Sequence, residues 1–300
     1  MTARGKNKKA PSHSGTWLVW ALLLASLLAT ALGARNTKQS IDRTAEQEFE
    51  SVCNEVHEKI LDRLRAHEQI LRSGVAFFDS TDSVSREKWH LFTERQKVEQ
   101  QLPGILGIGF AVLIPPEQLA QHIQEIRAEG FPDYRVWPEG ERQIYSSIIF
   151  LEPFTNRNLR AFGYDMLSES VRRTAMERAR DQNAAALSGK ILLVQETDKD
   201  IQAGNLMYVP VYRPGFPCDT VARRRAAILG WVYSPYRMND LMQGILGRWD
   251  LTTAQRIQLK IFDGTNISLE ALLYDSQGSG AVTVGSCAPN EFQMPIRYAD

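Results

Sequence analysis

From Trp17 to Ala34 the chain runs through eighteen residues without a charge, rich in Leu and Ala, and the run stops at Arg35. As a helix this stretch rises about 27 Å, roughly the thickness of one hydrocarbon core. Two readings fit it. Ala31-Leu32-Gly33 has the small-x-small form of a signal-peptide cleavage site. The run is, however, longer than the usual signal core of about 7–15 residues, and a helical pattern continues beyond it, which favours an uncleaved anchor. Under both readings the basic head stays in the cytoplasm and residues from about 35 onward are exported.

Charge follows the same division. Lys+Arg number 35 and Asp+Glu 35, a neutral total. The head carries Arg4, Lys6, Lys8 and Lys9 and no acid, so residues 1–34 are basic and the body is acidic by the same amount. A generally basic nucleic-acid binder is excluded. With 43% hydrophobic and 23% charged residues the composition is that of a globular protein.

Past the apolar run, Phe49, Val52, Val56, Ile60, Leu64, Leu71, Val75 and Phe78 recur mostly at spacings of three or four, with charged residues between them. No Pro or Gly interrupts Ala34 to Ser73. The pattern predicts one long helix over 36–78, and a helix of this length ordinarily packs against a partner. The sharper expectation is a homodimer through this stalk; the plainer one is a spacer. Asp79 to Ser83 is a turn and cap cluster, and a second helix is expected over 85–101.

Beyond Pro103-Gly104, strands are expected over 105–114, 134–137, 144–151, 191–195, 205–212, 227–233, 258–262 and 271–274. Helices are expected over 117–129, 169–180 and 239–247, and the triple arginine Arg223-Arg224-Arg225 falls in a connection. Strands and helices mix without strict βαβ alternation. The fold class is therefore α+β, with antiparallel sheets and helices packed on one face.

The chain offers little catalytic chemistry. Gln277-Gly278-Ser279-Gly280 is not a nucleophile elbow, and the histidines never stand at metalloprotease spacing. The glycines of Pro103 to Gly109 precede their strand, so they read as a tight turn with close backbone packing. Carboxylate pairs such as Asp198 with Asp200 are what polar loops produce by chance. Cys53, Cys218 and Cys287 admit at most one internal disulfide, Cys218–Cys287, or none, and no Cys/His spacing suits zinc. No catalytic residue, metal site or cofactor is predicted.

Several strings, in order, resemble the CHASE domain, the extracytoplasmic sensor module of membrane receptors that include the plant cytokinin receptors. They are Leu102-Pro103-Gly104-Ile105 through Gly109-Phe110, Phe162-Gly163-Tyr164-Asp165-Met166, Arg172-Arg173 through Ala179-Arg180, Leu187-Ser188, Leu192 to Glu196, Val209-Pro210-Val211-Tyr212, and Leu229-Gly230-Trp231-Val232. The resemblance implies a long N-terminal helix followed by two tandem PAS-like α/β subdomains with antiparallel sheets. The implied domains are a cytoplasmic head over 1–16, a transmembrane anchor over 17–34, a helical stalk over 35–101, a CHASE-like sensor over 102–245 and a membrane-proximal PAS-like remainder over 246–300.

It further implies a small-molecule ligand outside the membrane and a cytoplasmic effector beyond these residues, commonly a histidine kinase and sometimes a nucleotide cyclase. A second apolar span would then be due soon after Asp300. Position by position, Asp165 matches the aspartate that bonds the ligand's adenine ring in the cytokinin receptors. Leu187 matches a pocket leucine whose backbone contacts the ligand, and Thr197 a threonine lining the tail end. The residues themselves leave another role open for Asp165, capping the turn into the next helix. The turn after that helix is Gln182-Asn183 where the family usually has Thr-Gly, which alters the pocket rim; Asn still tolerates the left-handed conformation. The alternative function is a membrane-tethered structural or interaction protein.

Overall fold

The computed structural model describes residues 16–97, 104–197, 200–247, 258–277 and 292–296. Its first element is one uninterrupted helix, α1 (Thr16–Asp79). The chain divides into two compact units, with the boundary inside this helix between Glu55 and Val56. In the first unit, α1 is exposed at every position from Trp17 to Glu48. Its N-terminal part is long and apolar enough to cross a membrane by length and composition.

In the second unit the chain builds a five-stranded antiparallel sheet from β1 (Ile108–Ile114), β2 (Tyr145–Glu152), β3 (Ala186–Leu187), β4 (Gly204–Tyr212) and β5 (Ile228–Arg237). The spatial order is β2-β1-β5-β4-β3. The remaining helices are α2 (Arg86–Gln96), α3 (Leu119–Ala128), α4 (Ser170–Gln182), α5 (Val221–Ala227) and α6 (Met238–Leu246). A separate ribbon pairs β6 (Lys260–Phe262) with β7 (Leu272–Asp275). The fold is α+β with a long N-terminal helix. Much of 246–300, the expected second PAS-like subdomain, lies outside the described residues, as do Cys287, the Asp198 of the carboxylate pair and the end of the second expected helix.

Helices cover both faces of the sheet, where the sequence pattern suggested one. The reason is visible in the central strands, which are apolar on both parities, as two-sided burial requires. In β4, Met207, Val209 and Val211 join a core with Val56, Ile60, Leu64, Leu71 and Phe78 of α1, Trp89 of α2 and Leu241 of α6. Leu206 and Tyr208 of the same strand face the other way, into a core with Trp231, Tyr233 and the α4 residues Ala175, Met176 and Ala179. A third, smaller cluster sets Ile126 of α3 against Tyr134, Val136 and Tyr145.

Two other elements differ from expectation. Residues 134–137 form no strand; Trp137 alone bridges to Tyr164, and Pro138 follows without an N–H to extend the ladder. In 191–195 only Ile191 bridges, to Gly204, and the short edge strand β3 lies earlier in the chain. The triple arginine is helical in α5: Arg224 donates to the Asp181 and Cys218 carbonyls, Arg225 pairs with Asp181 and Arg223 with Asp219. Asn183 ends α4 in the left-handed region at φ 55°.

Gly74 explains how closely α1 lies on the sheet. A Cβ there would stand 3.0 Å from a Val232 methyl and 3.5 Å from the Trp89 ring. A mid-helix glycine costs about 1 kcal/mol of helix propensity, which the contact with β5 offsets. Gly104, in the turn before β1, is as tightly placed: a Cβ on it would run into the Leu241 backbone.

The same interface carries a buried polar side chain. His67 of α1 is 1% exposed and stacks on Tyr236 of β5, with ring centroids 5.0 Å apart. Neither ring nitrogen has a hydrogen-bond partner among the described residues. Burial, with Arg63 adding to it, holds the imidazole neutral and pushes its pKa down to about 3. The unfolded chain takes up this proton near pH 6.5 while the folded chain does not, so stability drops as pH falls below 6.5, by about 1.4 kcal/mol per unit. Lowering the pH from 7 to 5 is expected to cost about 2 kcal/mol through this residue. Urea unfolding of wild type and His67→Phe at both pH values checks it: the variant should lose that much less.

Candidate functional site

The face covered by α4 holds two buried tyrosines whose hydroxyls have no partner among the described residues. Strands β4 and β5 set Tyr208 directly opposite Tyr233, with ring centroids 6.2 Å apart. Both residues are 0% exposed, and neither hydroxyl has a hydrogen-bond partner among the described residues. Gly109 on β1 makes room for one of them, since a Cβ there would sit 2.6 Å from the Tyr233 ring. Burial pushes both phenols far above their ordinary pKa, with the nearby Arg172 charge acting in the opposite sense on each. They are neutral donors at any physiological pH.

Helix α4 is fixed over them at two points. Trp231 Nε1 donates to the Met176 carbonyl at 2.9 Å. Glu169 caps the helix, accepting from the N–H groups of Val171 at 2.9 Å and Arg172 at 3.0 Å. Burial opposes ionisation of Glu169, but these N–H donors and Arg172 outweigh it and hold the carboxyl below its usual range. Arg172 lies on the buried stripe of α4 together with Ala175, Met176 and Ala179. Its guanidinium donates to Glu169 at 3.2 Å and to the Leu192 carbonyl at 2.9 Å, and it lies 5.3 Å from the centre of the Tyr164 ring. Tyr164 in turn meets Trp137 edge to face at 4.8 Å. Trp137 also lines an open recess of about 590 Å³, with Phe131, Tyr134, Arg160 and Phe162 among its other walls.

Asp165 stands beside this group, fully buried, and is already engaged. Its Oδ1 accepts from Ser146 N at 2.8 Å, Ser146 Oγ at 2.9 Å and Leu167 N at 3.0 Å, which caps the turn Met166–Ser168 and ties it to β2. Its Oδ2 has no hydrogen bond among the described residues and faces Arg142 Nε at 3.5 Å. Burial outweighs these donors and raises the carboxyl above the ordinary value.

The other two positions carried over from the resemblance lie elsewhere in the fold. Leu187 is in β3, at the edge of the sheet opposite β2. Its side chain packs with the α1 core, and its carbonyl accepts from Arg178 at 2.7 Å. Thr197 is half-buried and follows Glu196, whose buried carboxylate pairs with Arg237 at 2.7 Å. Tyr208, Tyr233 and Arg172 were not among the residues singled out from the sequence. The signals for them are an arginine on the apolar stripe of a helix, and tyrosines at the inward parity of two apolar strands.

The CHASE domain model matches residues 82–274, well over half the chain, and the chain belongs to that family, one of extracellular sensory domains. Among curated proteins nothing matches it. No group of His, Cys, Asp and Glu that would hold a metal ion is present among the described residues.

Asp165→Ala should leave the Ser146 N–H and hydroxyl without their acceptor, and Leu167 N–H with only Ser146 Oγ at 3.2 Å, and cost about 3 kcal/mol. Asp165→Asn keeps an acceptor oxygen and should cost about 1 kcal/mol. Urea midpoints of the two variants test this assignment.

Proposed function

Starting from membership in this family, we propose that the chain is the ligand-sensing part of a transmembrane receptor. Residues 17–34 anchor it, residues from about 35 stand outside the cytoplasm, and the α4 face receives a small molecule. The observation that carries the reading is the pair of buried tyrosine hydroxyls, without a partner among the described residues, in a domain of a sensory family. A buried polar group without a partner costs about 1–3 kcal/mol, and a binding site is where such a cost is recovered.

The fold supports a route for the signal. Tyr208 faces the α4 core while its neighbours Met207 and Val209 face the core that α1 completes. A ligand that displaces β4 therefore acts on α1 through a single strand. It shifts the receptor between states only by its difference in affinity for them. The output is proposed to pass along α1, as a homodimer, to a cytoplasmic effector of histidine kinase type that these residues do not include. Asp165, Leu187 and Thr197 stay as proposed ligand contacts on the resemblance, with Asp165 alone beside the α4 face.

Topology is checked by fusing alkaline phosphatase after residue 10 or after residue 40 in a bacterial host. The expected result is activity outside the cytoplasm only for the second fusion; the reverse pattern refutes the anchor. Sensing is checked by thermal unfolding of the full chain in nanodiscs against a broad small-molecule collection. At least one compound class should stabilise it saturably, and none doing so sinks the reading.

A further inference from the structure

Helix α1 ends at Asp79, on an open pocket of about 440 Å³ that it shares with the loop following β4. The pocket lies on the α1 side of the sheet, since Val75 and Val209 in its wall pack into the core that α1 completes. Two opposite charges line it from different elements, Asp79 from the helix and Arg213 from the loop. Neither side chain has a hydrogen bond or ion pair among the described residues.

For Asp79 this is an unfavourable position. It is the last residue of α1, where the helix dipole disfavours negative charge, and the last turn holds no basic residue. Partial burial raises its carboxyl above the ordinary value, with no cation acting against the rise. Asn183, the left-handed residue that closes α4, lines the same pocket, so a second helix brings its negative end there. Arg213 is fixed by its backbone. Its N–H donates to the Ala227 carbonyl at 2.8 Å, and its carbonyl accepts from Phe216 N–H at 3.2 Å. The other cation of the pocket, Arg72, already donates to Glu68 at 2.6 Å, which leaves Arg213 as the positive charge available to a ligand.

An anion alone would meet Asp79 and two helix ends of its own sign, and a cation alone would leave Arg213 unanswered. A zwitterion answers both, with its ammonium at the negative end and its carboxylate on a guanidinium suited to that group. Val75, Val209, Pro210 and Phe216 supply an apolar wall for the rest of the molecule. Phe216 is 55% exposed, and a bound molecule would cover it.

We propose that the pocket between the end of α1 and the loop after β4 binds a zwitterionic α-amino acid with an apolar side chain, its ammonium held by Asp79 and its carboxylate by Arg213. This site is on the opposite side of the sheet from the α4 face and does not depend on the ligand proposed there.

The test uses the full chain in nanodiscs at pH 7 and constant ionic strength, with L-leucine and L-phenylalanine as probes. The N-acetyl form of each lacks the ammonium, and the amide of each lacks the carboxylate. At least one amino acid should raise the melting temperature saturably while its N-acetyl and amide forms do not. In Asp79→Asn and in Arg213→Gln its affinity should fall about tenfold or more. Without probe both variants should melt no lower than wild type, because neither side chain bonds to anything it would lose. A variant that melts well below wild type shows that the side chain is structural and overturns the assignment. So does binding of neither amino acid, equal binding of an amino acid and its N-acetyl or amide form, or wild-type affinity in either variant. A compound of the broader screen that binds both variants as it binds wild type is held elsewhere, which keeps this test separate from that of the α4 face.

Discussion

Tyr208 and Val209 are neighbours in one strand, yet they are buried in different cores. This two-sided burial of β4 and β5 is the constraint on which the rest of the molecule depends. It requires an apolar cover on each face, and the chain meets it with α1, α2 and α6 on one side and α4 on the other. The sheet is thus a shared wall, one residue thick, between the long helix and the candidate ligand site. Any change in packing on one side is felt on the other, because close-packed interiors do not absorb displacement.

The polar groups within these cores make sense against that background. Each face holds side chains that a simple apolar core would not: His67 against Tyr236 on the α1 side, and Tyr208, Tyr233 and Arg172 on the α4 side. Arg172 is held by Glu169 and a carbonyl, so its charge is compensated at a fixed position. The tyrosine hydroxyls have no hydrogen-bond partner among the described residues. Buried polar groups are usually satisfied, which is why these two define the site better than the open recess does.

Asp165 illustrates how one residue type serves two chemistries. Family resemblance points to it as a ligand contact, and its place before a helical turn equally suits a cap. In the structure it is a cap that also ties β2 to the α4 segment through Ser146.

Much was legible in the sequence because it depends on local periodicity. The charge-free run, the 3.6-residue spacing from Phe49 to Phe78 and the basic head determine a long helix with a membrane-compatible end, whatever the chain does later. The strands β1, β2, β4 and β5 were legible for the same reason, within a few residues at their ends. Side chains meeting across the fold were not legible. That Tyr208 stands opposite Tyr233, that Arg172 lies over the Tyr164 ring, that Leu187 and Asp165 occupy opposite edges of the sheet, and that helices cover both faces depend on register and strand order. Those are decided when distant segments pack together, because the free energy that selects them comes from surfaces no local window contains.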